Sequence, residues 1–261
     1  MRTRLSLVLI TLLLTTAPAL ADVDGSVDPS YGTLFGRTVI NTFPGLVDDT
    51  PALSAFANSA TGRTWLFGSG MLASNRLLIA RLIADSGQLD SSFGGGSGKL
   101  VTLLPPGVSA FVVNSAVIQA DGKALVAGRW DLNGEERGFV CRLNVAGNLD
   151  ASYANGGCRA LRAFIYAQED CRVDEIAADP ADSSLLVAGL CRDGNQSGVA
   201  RPYLARLTST GALDVDFGAG AGVTTPTVAG GNLVYIHALA IQPGGRFVAI
   251  GSNFRATGDY D

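Results

Sequence analysis

Apolar residues occur along the chain in short runs that are separated by turns rich in glycine and aspartate. The runs at 124–128 and 185–189 are typical, since each contains several aliphatic residues and ends on a glycine. Short apolar runs bounded by such turns predict β-strands. The chain also holds 33 glycines, and each glycine costs about 1 kcal/mol in a helix interior. The pattern therefore predicts an all-β fold.

Four segments share one pattern, in which an apolar residue is followed by aspartate, two small or polar positions and an aromatic residue. They are segments 27–31, 89–93, 149–153 and 213–217, and their aspartates are Asp28, Asp90, Asp150 and Asp214. Successive copies begin 62, 60 and 64 residues apart. A fixed period of this length indicates tandem structural repeats.

Two further patterns recur within each repeat. A turn followed by a strand that ends on glycine occurs at 61–68, 121–128 and 244–251, and the third copy has a longer turn at 179–184 before its strand at 185–189. Asp-Gly between apolar runs is a strong hairpin signal. A later strand ends in an Arg-Leu pair, whose arginines are Arg81, Arg142 and Arg206.

Each repeat thus supplies about four short strands, one after the aromatic residue, two in the central hairpin and one that ends at the arginine. Four antiparallel strands in about 60 residues match the content of a propeller blade. We predict tandem four-stranded antiparallel units in a β-propeller-like fold of about four blades. The units span residues 27–88, 89–148, 149–212 and 213–261, the last of them incomplete.

The segments L-D-x-S-F-G at 89–94, I-Q-x-D-G-K-x-L-V-A-G at 118–128 and R-L-x-x-x-G-x-L-D at 142–150 together resemble the delta-60 repeat family of bacterial exported and surface proteins. The similarity extends over nearly the whole chain after residue 21. It implies a β-propeller-like fold and no established activity. The first unit departs from the pattern with Thr61 in place of aspartate, and the third replaces the Asp-Gly turn.

The last unit is shorter than the others. The closing arginine follows the central glycine by 14 residues in the second unit and by 17 in the third, but only ten residues follow Gly251. We therefore expect the fourth unit to lack its closing strand and the chain to be a fragment of a longer array. Its unpaired edge strand would then favour self-association.

The first 21 residues have the features of a secretory signal peptide. Arg2 and Arg4 precede an apolar stretch at 5–14, and Ala19 and Ala21 supply the small side chains of a cleavage site. Cleavage would leave residues 22–261 as the repeat domain. No later stretch approaches the roughly 20 apolar residues of a membrane helix. We predict an exported protein of the periplasm, the cell surface or the extracellular space, with no membrane span after cleavage.

The charge pattern excludes nucleic acid as a partner. The formal net charge is −4, and the only lysines are Lys99 and Lys123. Proteins that bind nucleic acid cluster lysine and arginine to neutralise phosphates.

The repeated aspartates and arginines admit two interpretations each. Asp28, Asp90, Asp150 and Asp214 are candidate calcium ligands, but a compact calcium loop needs six or more oxygens, and we favour aspartates that cap their own turns. The arginines Arg81, Arg142 and Arg206 would stand in a ring and could bind an anion. We favour instead their pairing with the repeat aspartates of the same or the next unit, because a repeated position follows from architecture.

His237 is the only histidine, and it lies in a predicted strand at 233–240. No G-x-S-x-G nucleophile pattern accompanies it, and a zinc site would need three or four ligands. A half-buried strand histidine is the favoured interpretation.

The four cysteines, Cys141, Cys158, Cys171 and Cys191, admit three disulfide pairings. The turn at 179–184 predicts a hairpin of strands 172–178 and 185–190, which would place Cys171 opposite Cys191. Cys141 would then pair with Cys158. A zinc site is the alternative, but no C-x-x-C spacing supports it.

These observations favour a non-catalytic scaffold or binding module that meets a protein or glycan at the cell envelope. No catalytic residue, cofactor or metal site is predicted. The alternative is a propeller enzyme or small-ligand binder with a site at the central opening. That alternative requires inward-facing polar residues that touch one another.

Overall fold

The computed structural model describes residues 38, 40, 43, 51–70, 75–161, 169–193, 200–226, 233–242 and 244–254. The predicted signal peptide and the first copy of the aspartate motif, with Asp28, lie outside these residues. The described part is all-β, as the sequence predicted, and contains fourteen strands and one short 3₁₀ turn.

The strands form three four-stranded antiparallel sheets and one hairpin, each ordered as along the chain. The first sheet contains β1 (Pro51–Asn58), β2 (Arg63–Gly70), β3 (Arg76–Ile83) and β4 (Lys99–Leu103). The second contains β5 (Val108–Ile118), β6 (Ala124–Leu132), β7 (Glu135–Leu143) and β8 (Cys158–Leu161). The third contains β9 (Glu169–Ala178), β10 (Leu185–Asp193), β11 (Ala200–Leu207) and β12 (Val223–Thr224). The hairpin contains β13 (Leu233–Ile241) and β14 (Phe247–Phe254).

The sheets pack against one another in chain order. Their first strands contact in succession, β1 with β5, β5 with β9 and β9 with β13. One apolar core lies between the first and second sheets and another between the second and third. The second sheet is therefore covered on both faces, which explains the continuous apolar run of β6. Ala124 and Val126 lie in the first core, whereas Leu125 and Ala127 lie in the second.

Each four-stranded sheet is out of phase with the sequence repeat. The strand that follows the aromatic residue pairs with the closing strand of the preceding unit, as β4 does with β3 and β8 with β7. The glycine-rich turn folds the chain back, so that the backbone N–H of Arg81 donates to Gly98 and that of Asp90 donates to Arg81. Every described four-stranded sheet is thus completed by a strand from the next unit.

Within the described residues, the fourth sheet consists of β13 and β14 alone. The expected edge-strand association and the expected absence of a closing strand stay predictions. None of the described segments forms a helix that is long and apolar enough to cross a membrane.

Candidate functional site

The closing arginine of the first unit pairs with the aspartate of the next motif. Asp90 is only 2% exposed, and its Oδ2 accepts hydrogen bonds from Nε of Arg63 and of Arg81, at 2.7 and 2.9 Å. Its Oδ1 accepts from the backbone N–H and the hydroxyl of Ser92, at 3.0 and 2.6 Å. The Arg81 guanidinium also lies 4.4 Å from the ring centre of Phe93. We call this arrangement of arginine, aspartate and aromatic ring a clamp.

The same clamp occurs in the next two repeats. Nε of Arg142 donates to Asp150 at 2.9 Å, and its guanidinium lies 4.7 Å from the ring centre of Tyr153. Nε of Arg206 donates to Asp214 at 2.5 Å. A cation over an aromatic face is attracted by the ring quadrupole, so the aromatic residue of the motif stabilises the ion pair beside it.

Two clamps also join successive sheets. Nη1 of Arg81 donates to the carbonyl of Val145 at 3.4 Å, and Nη1 of Arg142 donates to the carbonyl of Ser209 at 2.7 Å. Both acceptors lie in the turn that follows the closing arginine of the next unit. The arginines are therefore engaged within the fold, and each of these two holds a neighbouring sheet in position.

Hydrogen bonds lower the pKa of two clamp carboxylates, Asp90 and Asp150. Burial raises the pKa of Asp90, but hydrogen bonds from Ser92 and Arg63 outweigh it and hold the pKa far below its usual range. At Asp150 burial likewise opposes the hydrogen bonds from Ser152, and the pKa is again strongly lowered. Among the described residues, no group of three or more histidine, cysteine or acidic side chains is placed to hold a metal ion.

We expect acid to destabilise the fold through these carboxylates. Their folded pKa values lie below the unfolded value of about 3.9, so their stabilisation is present above that pH and is lost as the pH falls through the folded values. Urea midpoints at pH 6 and pH 3 measure the loss. The double variant Asp90→Asn/Asp150→Asn should lose less stability between these two pH values than the wild type, and an equal loss would contradict the assignment.

Two disulfides join Cys141 to Cys158 and Cys171 to Cys191. This is the pairing that the sequence favoured. Each pair lies directly opposite in the register of two adjacent antiparallel strands, β7 with β8 and β9 with β10. All four cysteines are buried. The first bridge fixes the edge strand β8 to the second sheet, and the other fixes the first strand of the third sheet.

We expect the double substitution Cys171→Ala/Cys191→Ala to lower the free energy of unfolding by about 3 kcal/mol, because the bridge closes a loop of 20 residues in the unfolded chain. Urea unfolding with and without a reductant measures this. Reductant should destabilise the wild type more than the double variant, which retains one bridge. Equal sensitivity to reductant would show that this bridge contributes nothing.

The first strand of every sheet carries a β-bulge opposite the glycine that ends the central motif. The bulged residues are Ser54, Asn114, Asp174 and His237, and the glycines opposite are Gly68, Gly128, Gly189 and Gly251. The glycine is constant and the bulged residue is polar but variable. The repeat therefore presents four different polar residues at one structural position.

The bulges explain why the strands need glycine. A Cβ on Gly128, Gly189 or Gly251 would lie 1.9, 2.0 or 2.0 Å from a carbonyl oxygen of the bulged strand. Carbon and oxygen atoms that are not bonded do not approach to 2 Å in proteins. A Cβ has no alternative rotamer, so a side-chain rotation cannot relieve its clash with a backbone oxygen. The glycine of the motif is thus fixed by the bulge and leaves the bulged residue free to vary.

Polar side chains connect the first strands of the second and third sheets. Nδ2 of Asn114 donates to the carbonyl of Val173 at 2.7 Å, and the hydroxyl of Ser115 donates to Oε1 of Glu175 at 2.7 Å. Burial raises the pKa of Glu175, although its hydrogen bond from Ser115 opposes the shift. These residues touch one another, which is one part of what a site at the central opening would require; that they face such an opening stays a prediction.

A charged groove of about 240 Å³ lies between residues of the second and third sheets. Its lining residues are Arg129, Glu136, Asp170, Arg172, Leu190 and Arg192. Nε of Arg172 donates to the bulged Asp174 at 2.6 Å, and Nη1 of Arg129 donates to Glu136 at 2.5 Å. We call this set of lining residues the charged groove. The charged groove offers a ligand positively charged hydrogen-bond donors from its arginines and negatively charged acceptors from its carboxylates.

His237 differs from its predicted environment. It lies at the bulge of β13, in the predicted strand, but it is exposed and not half-buried, as are residues 247–251 of the paired strand β14. Its Nε2 lies 2.8 Å from the hydroxyl of Ser252.

Sequence reasoning missed Asn114, Ser115, Arg172, Asp174 and Glu175. The available signal was the glycine inside each strand, since such a glycine often marks a bulge. It did not indicate which residue of the paired strand was displaced.

Two segments of the chain, residues 119–153 and 181–217, match the model of a β-propeller domain of unknown function (DUF5122). No curated protein matches the chain. Each matched segment runs from the central hairpin through the closing arginine to the aromatic residue of the clamp, so the match and the structure coincide on the same repeat. The chain is thus similar, over these two segments, to a β-propeller repeat family whose function is unknown.

Proposed function

We propose that this protein is an exported, non-catalytic β-repeat module of the delta-60 type that binds a protein or a glycan at the cell envelope. The observation that carries the proposal is the division of labour within the repeat. The arginines Arg81, Arg142 and Arg206 are all engaged in ion pairs of the clamps, and Arg81 and Arg142 also bind a neighbouring sheet. The bulged positions keep their geometry while their side chains change.

The charged groove is the surface that we assign to the partner. Arg129 and Glu136 are well exposed, with side chains 45% and 40% accessible, so a partner can reach them without unfolding. Exposed charges of both signs can orient a partner with complementary charges as it binds, and salt weakens such an interaction. The predicted signal peptide and the two disulfides support an oxidising, exported location.

Binding of the purified protein to envelope fractions of the source organism tests this function. We expect retention that weakens with salt and falls in the charge-reversal variant Arg192→Glu, since Arg192 lines the charged groove. Arg246→Glu is the matched control, because Arg246 is exposed in the β13–β14 turn. Retention that neither salt nor Arg192→Glu affects would contradict the proposal.

The second candidate is a small-ligand site or an enzyme at the first strands of the sheets. It is favoured by the contacts that join Asn114 and Ser115 to β9. A screen of metabolites by thermal shift discriminates the two functions. A small molecule whose stabilisation is lost in Asp174→Asn would favour this candidate over the envelope module.

A further inference from the structure

An open groove of about 630 Å³ lies along β8, the edge strand of the second sheet. Its volume falls within the roughly 300–1,000 Å³ of ligand sites. Its lining residues are Pro105, Trp130, Leu132, Ser152, Ala154, Asn155, Cys158, Arg159, Ala160, Thr210 and Ala212. We call these residues the β8 groove. It shares no residue with the charged groove, so the two grooves are separate surfaces.

The β8 groove contains a charge where the repeat places an uncharged residue. Arg159 lies in β8 opposite Val140, which is two residues before the closing Arg142. The same register position holds Leu100 in β4 and Thr224 in β12. Leu100 packs against the first core, whereas Arg159 reaches the rim and donates through Nη1 to the carbonyl of Gly211 at 3.0 Å. The architecture does not require arginine here.

The turn beside Arg159 departs from the repeat as well. Ala154 has a φ of 46°, and the equivalent positions after the other aromatic residues hold Gly94 and Gly218, with φ of 58° and 63°. A side chain in the left-handed region costs roughly 1–2 kcal/mol. The backbone N–H of Ala154 donates to the carbonyl of Thr210 at 2.8 Å, which holds the turn against the wall of the groove. Two departures from the repeat thus converge on one cavity.

The lining is rich in donors and carries one kind of charge. Arg159 is the only charged residue among the described residues that line the β8 groove, and none of them is acidic. Ser152, Asn155 and Thr210 are exposed there. Nε1 of Trp130 and Nε of Arg159 are buried donors without an acceptor in the structure, and such groups are rare in proteins. The groove therefore complements a ligand that supplies acceptor oxygens and negative charge.

The edge of the sheet selects an extended peptide as that ligand. Within the described residues the only strand that pairs with β8 is β7. On the other side of β8, Cys158 forms a single bridge with Asn155, and the part of this edge beyond Cys158 can recruit an extended segment by backbone hydrogen bonds. A glycan fits less well, because sugars stack on exposed aromatic faces and Trp130 is only 2% exposed. We propose that the β8 groove binds an extended peptide segment whose acidic side chain pairs with Arg159.

An array of random, end-capped hexapeptides, probed with the full chain, tests this. Peptides that contain aspartate or glutamate should be selected, and fluorescence polarisation should show that Arg159→Leu weakens them by about tenfold or more, since a charge-assisted hydrogen bond is lost. Leucine is the residue of the equivalent position in β4, so this variant should fold. Arg246→Leu is the matched control and should bind as the wild type does.

Backbone pairing is tested separately by N-methylated copies of the selected peptides, which should lose binding because they cannot donate to a strand edge. Selection of no acidic peptide, equal binding by Arg159→Leu, or retention by the N-methylated copies would overturn the proposal. A parallel glycan array that gives an Arg159-dependent binder, while the peptides give none, would also overturn it and would assign the groove to a saccharide.

Discussion

Replacing Asp90 by alanine is expected to lower the free energy of unfolding by about 3 kcal/mol, because it leaves two arginines without their buried counter-charge. Asp90 accepts from both Arg63 and Arg81, which belong to different strands of the first sheet. The hydrogen bonds from Ser92 are lost as well. Urea unfolding of Asp90→Ala, followed by circular dichroism, measures the effect.

Asp214→Ala is the matched control for this clamp. Its carboxylate is 20% exposed, compared with 4% for the side chain of Asp90, and Arg206 alone pairs with it among the ion pairs of the described residues. Water can solvate the arginine that remains, so we expect a loss of about 1 kcal/mol. Equal losses at the two positions would show that burial of the Asp90 clamp does not matter.

Replacing Gly128 by alanine is expected to cost about 3 kcal/mol or more, because a new Cβ would meet a backbone atom that cannot move aside alone. The Cβ would lie 1.9 Å from the carbonyl oxygen of Val112 and 3.1 Å from the backbone nitrogen of Asn114. The bulge must then shift, and the hydrogen bond from Asn114 to Val173 with it. The loss of stability should therefore come with altered contact between the second and third sheets.

Gly138→Ala is the matched control, since Gly138 is also a strand glycine of the second sheet. Its nearest non-neighbouring atoms to a new Cβ lie 3.3 Å away, which a small movement accommodates. We expect a change of less than about 1 kcal/mol. Amide hydrogen exchange of β5 provides the second measurement, because a Cβ on Gly138 faces β9 and not β5. Protection of β5 should fall in Gly128→Ala and not in Gly138→Ala. A fully stable Gly128→Ala protein would refute the role of the bulge.

Much of the fold could be predicted from local patterns. The strands at 172–178 and 185–190 lie within β9 and β10, and the predicted strand around His237 lies within β13. Strand runs and turn glycines act over a few residues, so they leave a clear signal in one sequence. The opposition of Cys171 and Cys191 follows from the same local hairpin.

The candidate sites were less predictable, because their residues meet across sheets. Ser115 and Glu175 belong to different units and touch only because two sheets pack together. Arg159 is visible as a departure from the repeat only after the register has placed it opposite Val140. Neither relation can be read from the spacing of residues along the chain.

The sequence by itself determined the all-β class, the period of the repeat and the residues that recur in it, since these depend on local turn and strand chemistry. The sequence also favoured the pairing of the recurring arginines with the aspartates. Only the tertiary structure decided that each sheet takes its last strand from the next unit, that two of these arginines also bind a carbonyl of the neighbouring sheet, and that the strand glycines face bulges. These features depend on which backbone atoms approach one another across paired strands. The distances between these atoms are fixed by the packing of the whole domain. At Gly128, for example, one carbonyl oxygen lies so close to the position of a Cβ that only glycine fits.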